Sequence, residues 1–151
     1  MKLSYSISIL CEPQTVFPWI AEPKKAMLWQ TGVNEEVIIE EKLNMIGTTF
    51  KEKMEEDGNS LEIIGEITRY INNKLIAFHL KSKIHELDVV YSIEYFKNVS
   101  MLSIESNINW KFPVSIISIF IGRKIKDKIM KQTEMEFAKL KELCEKNDSE
   151  I

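Results

Sequence analysis

Between Val33 and Trp110 the chain reads as six strand-like segments in succession, joined by connections too short to hold a helix. Parallel strands need a crossover of roughly a dozen residues or more, so neighbours joined this closely must pair antiparallel. The segments fall near 33–41, 47–56, 60–70, 74–82, 86–96 and 99–110. Asp57-Gly58-Asn59 and Asn72-Asn73 separate them with residues that tolerate the positive φ of hairpin turns, and Lys97-Asn98 is a weaker signal of the same kind. Gly47 opens the second segment after a loop over 42–46. Residues 2–10 add one more strand: Leu3, Tyr5, Ile7 and Ile9 alternate with Lys2, Ser4, Ser6 and Ser8, the period of a strand with one buried face. These patterns predict a seven-stranded antiparallel sheet.

Helical patterning flanks the meander. Gln14 to Ile20 carries Val16, Phe17 and Ile20 at helical spacing, with Pro18 early in the helix or splitting it. Pro23 suits the first position of a second short helix that carries Met27, Leu28 and Trp29 and stops at Gly32. Pro113 ends the last strand, and the period changes at Gly122. From there to Lys146, Ile125, Ile129, Thr133, Phe137, Leu140 and Cys144 draw one apolar stripe, with most lysines and glutamates off it. Residues 147–151 read as a frayed polar tail. The fold class is therefore α+β, and the whole chain, 1–151, is one domain. A lone helix about 10 Å across cannot blanket a flat sheet of seven strands. The sheet must curl around it, and the space left between them is the natural place for a ligand.

The composition fits this layout. At 151 residues, 44% apolar and 28% charged, the chain is long enough for a sizeable core and too balanced for a disordered or multi-span membrane protein. A net charge of −3 gives no global basic field for nucleic acid. Two cysteines at opposite ends, Cys11 and Cys144, are too few for a disulfide scaffold and are expected as thiols. The alternating N-terminus lacks the apolar stretch of a secretion signal, so the expected location is cytoplasmic.

The order of elements resembles the START-like superfamily, also called SRPBCC, helix-grip or Bet v 1-like. The resemblance rests on the opening strand followed by Val16-Phe17-Pro18-Trp19-Ile20, Trp29 before the sheet, and Gly47-Thr48-Thr49-Phe50 at a strand start. It rests also on the strand pair holding Gly65-Glu66-Ile67 and Lys74-Leu75-Ile76-Ala77-Phe78, and on Leu140-Lys141-Glu142-Leu143 near the end of the long helix. It implies a curved antiparallel sheet wrapped around a long C-terminal helix, two short helices between strands 1 and 2, and a cavity between sheet and helix. The family includes polyketide cyclases and lipid-transfer domains.

The chemistry of the side chains points to binding. His79 and His85 are the only histidines, neither spaced with a cysteine as metal ligands are, and His79 alternates to the outside. No G-x-S-x-G or glycine-rich phosphate loop occurs, so no catalytic set, metal site or cofactor is expected. Trp29, Phe50, Phe78, Tyr91, Ile104, Ile129, Thr133 and Phe137 are the candidate lining residues, and Tyr95 shares the face of Tyr91. A buried phenol such as Tyr91 needs a polar partner. Glu136 lies close to the helix stripe, either at its edge or inside the cavity. Phe112 to Ile121, followed by Arg123, Lys124, Lys126, Lys128 and Lys131, is too short to span a bilayer; it reads either as a buried lead into the helix or as a weak contact for a membrane surface. The expected partner is a small hydrophobic or amphipathic ligand, held by a monomer or homodimer. The alternatives are a cyclase-like enzyme using the same cavity and a protein-interaction domain using 112–121.

Overall fold

Seven strands pair antiparallel in the order β1-β7-β6-β5-β4-β3-β2. They are β1 (Lys2–Ile9), β2 (Val33–Glu40), β3 (Thr49–Glu56), β4 (Asn59–Ile71), β5 (Leu75–Lys81), β6 (His85–Phe96) and β7 (Val99–Trp110). Two short helices, α1 (Pro13–Ala21) and α2 (Pro23–Ala26), lie between β1 and β2, and α3 (Val114–Ser149) closes the chain. This is a computed structural model, and it describes residues 1–56 and 58–149. Asp57 of the expected turn and residues 150–151 of the expected tail lie outside the described residues.

The meander follows from its turns. Asn73, Lys97 and Asn98 all take positive φ, which lets β4–β5 and β6–β7 close as tight hairpins. The first strand joins β7, with Tyr5 opposite Ile104. Ile104 is in turn opposite Tyr91, and Tyr91 opposite Ile76, so one cross-strand row runs over four strands. Phe137 of α3 rests on this row, its ring centroid 5.5 Å from Tyr5 and 6.3 Å from Tyr91. Trp29 meets Phe137 at 6.0 Å from the other side, and its indole Nε1–H donates to the Trp19 carbonyl at 2.7 Å. Phe137, Leu140 and Cys144 are fully buried, as are Ile9, Val16, Ile76 and Leu102 in the same core. Cys11 and Cys144 are buried thiols.

The long helix packs on β1, β7 and α1, on one side of the sheet, whereas α2 approaches β2. The cover is thus divided: α3 shields the β1–β7 side, α1 lies against α3 and β6, and α2 is the helix that approaches β2.

Several boundaries differ from the sequence reading. α1 starts at Pro13 and keeps Pro18 inside it, at the loss of one backbone hydrogen bond to Gln14. α2 ends at Ala26, and Met27, Leu28 and Trp29 follow as turns, not helix. β3 begins at Thr49 because Gly47 is held at φ +89° and its N–H donates to the Ile67 carbonyl. α3 starts at Val114 and runs to Ser149, with the helical dihedrals interrupted at Ile121 (φ −122°, ψ 18°). The apolar segment before Gly122 is therefore helical, and Gly122 marks an interruption, not a beginning. Tyr95 is exposed near the tip of the β6–β7 hairpin, where its hydroxyl donates to Asn98 Oδ1 at 3.4 Å.

Phe137→Ala should lose about 3–5 kcal/mol of stability, the usual cost of removing a buried aromatic ring from a packed site. Denaturant titration followed by circular dichroism measures it, and a loss under about 1 kcal/mol would mean that the ring does not join the layers.

Candidate ligand-binding site

A cavity of about 220 Å³ lies between the short helices and the β2–β5 part of the sheet. Ile20, Ala21, Glu22, Pro23 and Ala26 form its roof, Glu36 and Ile38 one wall, Glu41, Met45 and Thr48 another, and Phe50, Ile67 and Phe78 its floor. Its position follows from the divided cover, since α3 leans toward β1 and β7. The floor depends on Gly65: a Cβ there would come within 2.2 Å of Phe50 Cζ, so the ring lies flat over bare backbone. Phe50 in turn packs edge-on against Phe78, centroids 5.6 Å apart. The loop wall is pinned by Thr48, fully buried, whose Oγ1 accepts the Lys42 N–H at 3.0 Å.

One end of this region is acidic. Residues two apart on a strand share a face, so Glu52 follows Phe50 on the inner side of β3. Glu36 is the Cα partner of Glu52 across β2 and β3. Burial pushes both carboxyls up to about 7, and for Glu36 the neighbouring Glu52 adds to the effect. Glu36 Oε2 is out of reach of solvent and has no hydrogen-bond partner; Gln30 Oε1 is in the same condition. The Tyr91 hydroxyl is held protonated, first by burial and then by the charges of Glu136, Glu52 and Glu36, with the Gln30 side chain opposing them. Glu136, raised by burial, accepts hydrogen bonds from the Thr31 N–H at 3.0 Å and from Gln132 Nε2 at 2.8 Å. It ties α3 to the segment after Trp29.

Of the residues singled out in the sequence, Phe50 and Phe78 line the cavity. Trp29, Tyr91 and Phe137 are buried and pack on one another with centroids 6.0–6.3 Å apart. Phe78 bridges the two groups, 6.2 Å from Tyr91. Ile104 is partly buried in the row beneath Phe137. Ile129 and Thr133 are partly buried on α3, and the Thr133 hydroxyl donates to the Ile129 carbonyl at 2.9 Å. None of these α3 or β7 residues touches the cavity. Sequence reading missed Gln30, Glu36 and Glu52. The signal for Glu52 was present in the alternation Phe50, Glu52, Met54; Glu36 needed the β2–β3 register.

His79 points to the outer face, where its Nδ1 lies 2.7 Å from Asp88 Oδ1. A shallow groove of about 440 Å³ opens on that face, along Lys2, Ser4, Asp88, Glu105 and Asn107. It is wide open to water, which suits solvation better than binding. His85 stacks near Trp110, and burial lowers its pKa. Among the described residues no three His, Cys, Asp or Glu side chains gather as metal ligands, and no helix is long and apolar enough to cross a membrane.

No protein-family model and no curated protein matches the sequence. Solved structures do. A START superfamily protein from Mycobacterium smegmatis matches at 15% identity with a TM-score of 0.78, covering 96% of this chain and 97% of that one. The Zhui aromatase/cyclase from Streptomyces sp. R1128 matches at 8% identity and a TM-score of 0.78, over 96% and 93%. The protein TTHA0849 from Thermus thermophilus matches at 9% identity and a TM-score of 0.80, over 95% and 97%. The chain has the helix-grip fold of START-like proteins. At such identities the likeness is one of backbone, and what is shared is the helix-grip frame.

The raised Glu36 and Glu52 pKa values make a prediction with a definite sign. The folded state binds protons that the unfolded chain has released, so their contribution favours folding at low pH and fades as pH rises from about 4.5 through 7. His85, with a lowered pKa, works the other way, so the informative quantity is a difference. Glu52→Gln should gain melting temperature relative to the parent as pH rises from about 5 to about 8. Parallel melting curves that keep a constant offset over this range would show that Glu52 is solvated.

Proposed function

We propose that this helix-grip protein binds a small amphipathic molecule in the cavity under α1 and α2, and that the ligand carries a protonated amine or similar hydrogen-bond-donating head. The apolar part lies against Phe50, Ile67 and Phe78, and the head faces Glu36, with Glu52 beside it. The observation that carries this reading is the buried Glu36 oxygen without a hydrogen-bond partner in the wall of an otherwise largely apolar cavity. A buried acceptor left unsatisfied is costly, and a donor from a ligand relieves that cost. The volume supports a small occupant: about seven water-sized groups at about 30 Å³ each. The fold supports the reading in general terms, since sheet and helices in this arrangement leave interior space.

Hexylamine and hexanoate are suitable probes, equal in chain length and opposite in head charge. Titration calorimetry at pH 8, where Glu36 and Glu52 are ionised, should favour hexylamine by about ten- to a hundredfold, the worth of one charge-assisted hydrogen bond. The preference should shrink toward pH 5.5, where the carboxyls are protonated but the amine is still charged. Glu36→Gln should abolish it. Equal or tighter binding of hexanoate at pH 8 would sink the proposal.

A further inference from the structure

The first part of α3 and the residues leading into it carry exposed apolar side chains. Phe112 is 77% exposed, Ile116 48% and Ile121 42%, so the segment is no buried lead into the helix. Among the described side chains of α3, Phe137 is the first that is fully enclosed. Everything before it that is described is half-buried or exposed, including Val114, Ile125 and Ile129. A row of exposed apolar side chains at the start of a helix is a docking feature when its surroundings say what it meets.

The surroundings are basic. Residues 111–131 hold six cations, Lys111, Arg123, Lys124, Lys126, Lys128 and Lys131, and one acidic residue, Asp127. The whole chain has a net charge of −3, so positive charge is concentrated on this arm against the overall balance. The first turn of α3 has no acidic residue, which leaves the positive end of the helix dipole uncompensated. Lys83, exposed, stands on the β5–β6 turn whose Ile84 carbonyl accepts the Lys111 N–H at 2.8 Å, and adds to the same end.

A second copy of the chain is a poor occupant. A two-fold contact would bring this basic arm against itself, with like charges facing. An anionic bilayer offers what the arm lacks: apolar depth for Phe112, Ile116 and Ile121 and negative headgroups for the cations. We propose that residues 111–131 dock the protein reversibly on an anionic lipid surface. The three apolar side chains enter the headgroup boundary, and Arg123 and Lys124 sit at the phosphates. This is independent of the ligand reading, because none of the described side chains of the arm lines the cavity.

The test is co-sedimentation of the full chain with vesicles of phosphatidylcholine alone and with roughly 30% phosphatidylglycerol, near 0.1 M salt and near 0.5 M salt. Binding should require phosphatidylglycerol and weaken at the higher salt. Charge reversal in Arg123→Glu and Lys124→Glu should weaken it at least about fivefold per site, the worth of one cation near such a surface. Phe112→Ser should weaken it about tenfold or more through lost apolar burial. These positions are at the surface, and the lipid and salt comparisons on the unmodified protein need no variant. Equal binding to both vesicles, no binding to either, or unchanged binding in these variants would overturn the proposal. So would a solution dimer, by sedimentation equilibrium, that dissociates in Phe112→Ser.

Discussion

The packing of Phe137 against Tyr5, Tyr91 and Trp29 is the contact on which the rest of the structure depends. It joins three parts of the chain distant in sequence: the first strand, the β6 centre and the segment after the short helices. The Trp29 indole then fixes that segment to α1 through the Trp19 carbonyl. With α3 held over β1 and β7 and α1 against β6, α2 is the helix left over the β2 side. The cavity is where that second cover stands off from the sheet. Its place is a consequence of where the long helix is anchored.

The interior is not uniformly apolar, and that has a cost. Glu36 and Glu52 face one another across β2 and β3 with their carboxyls raised to about 7. Two half-buried carboxyls with no ion-pair partner among the described residues oppose folding when ionised. A sequence selected for stability alone would place Val or Ile at such positions. Their presence beside Phe50, with Tyr91 held protonated nearby, is what the proposed ligand reading rests on. Glu136 is different in kind: it is hydrogen-bonded to Thr31 and Gln132 and acts as a brace.

The long helix serves two ends. From Phe137 onward it is core, with Leu140 and Cys144 fully buried. Before that it is a basic arm with Phe112 and Ile116 exposed at its start. The interrupted dihedrals at Ile121 lie within this arm, close to where the apolar segment gives way to Arg123 and Lys124. Among the described side chains, cavity and arm use separate residues.

The sequence by itself determined the order of elements, because alternation, turn residues and helical spacing are local signals. Asn73 and Asn98 made their hairpins, and the stripe of Ile125 to Cys144 made its helix. It also marked Trp29, Tyr91 and Phe137 as inward, since a residue's face follows from its period. What only the tertiary structure decided is how those faces share the interior. Nothing in the local pattern says that α3 leans toward β1 and β7, that Phe50 lies over Gly65, or that Glu36 stands opposite Glu52. Those depend on register and docking between segments far apart in the chain. A helical stripe announces that a helix is covered, not by what. Thus Phe137 was legible as core, while Glu36 and the exposed face of Phe112 were settled only when the packed layers left one carboxyl inside and one ring outside.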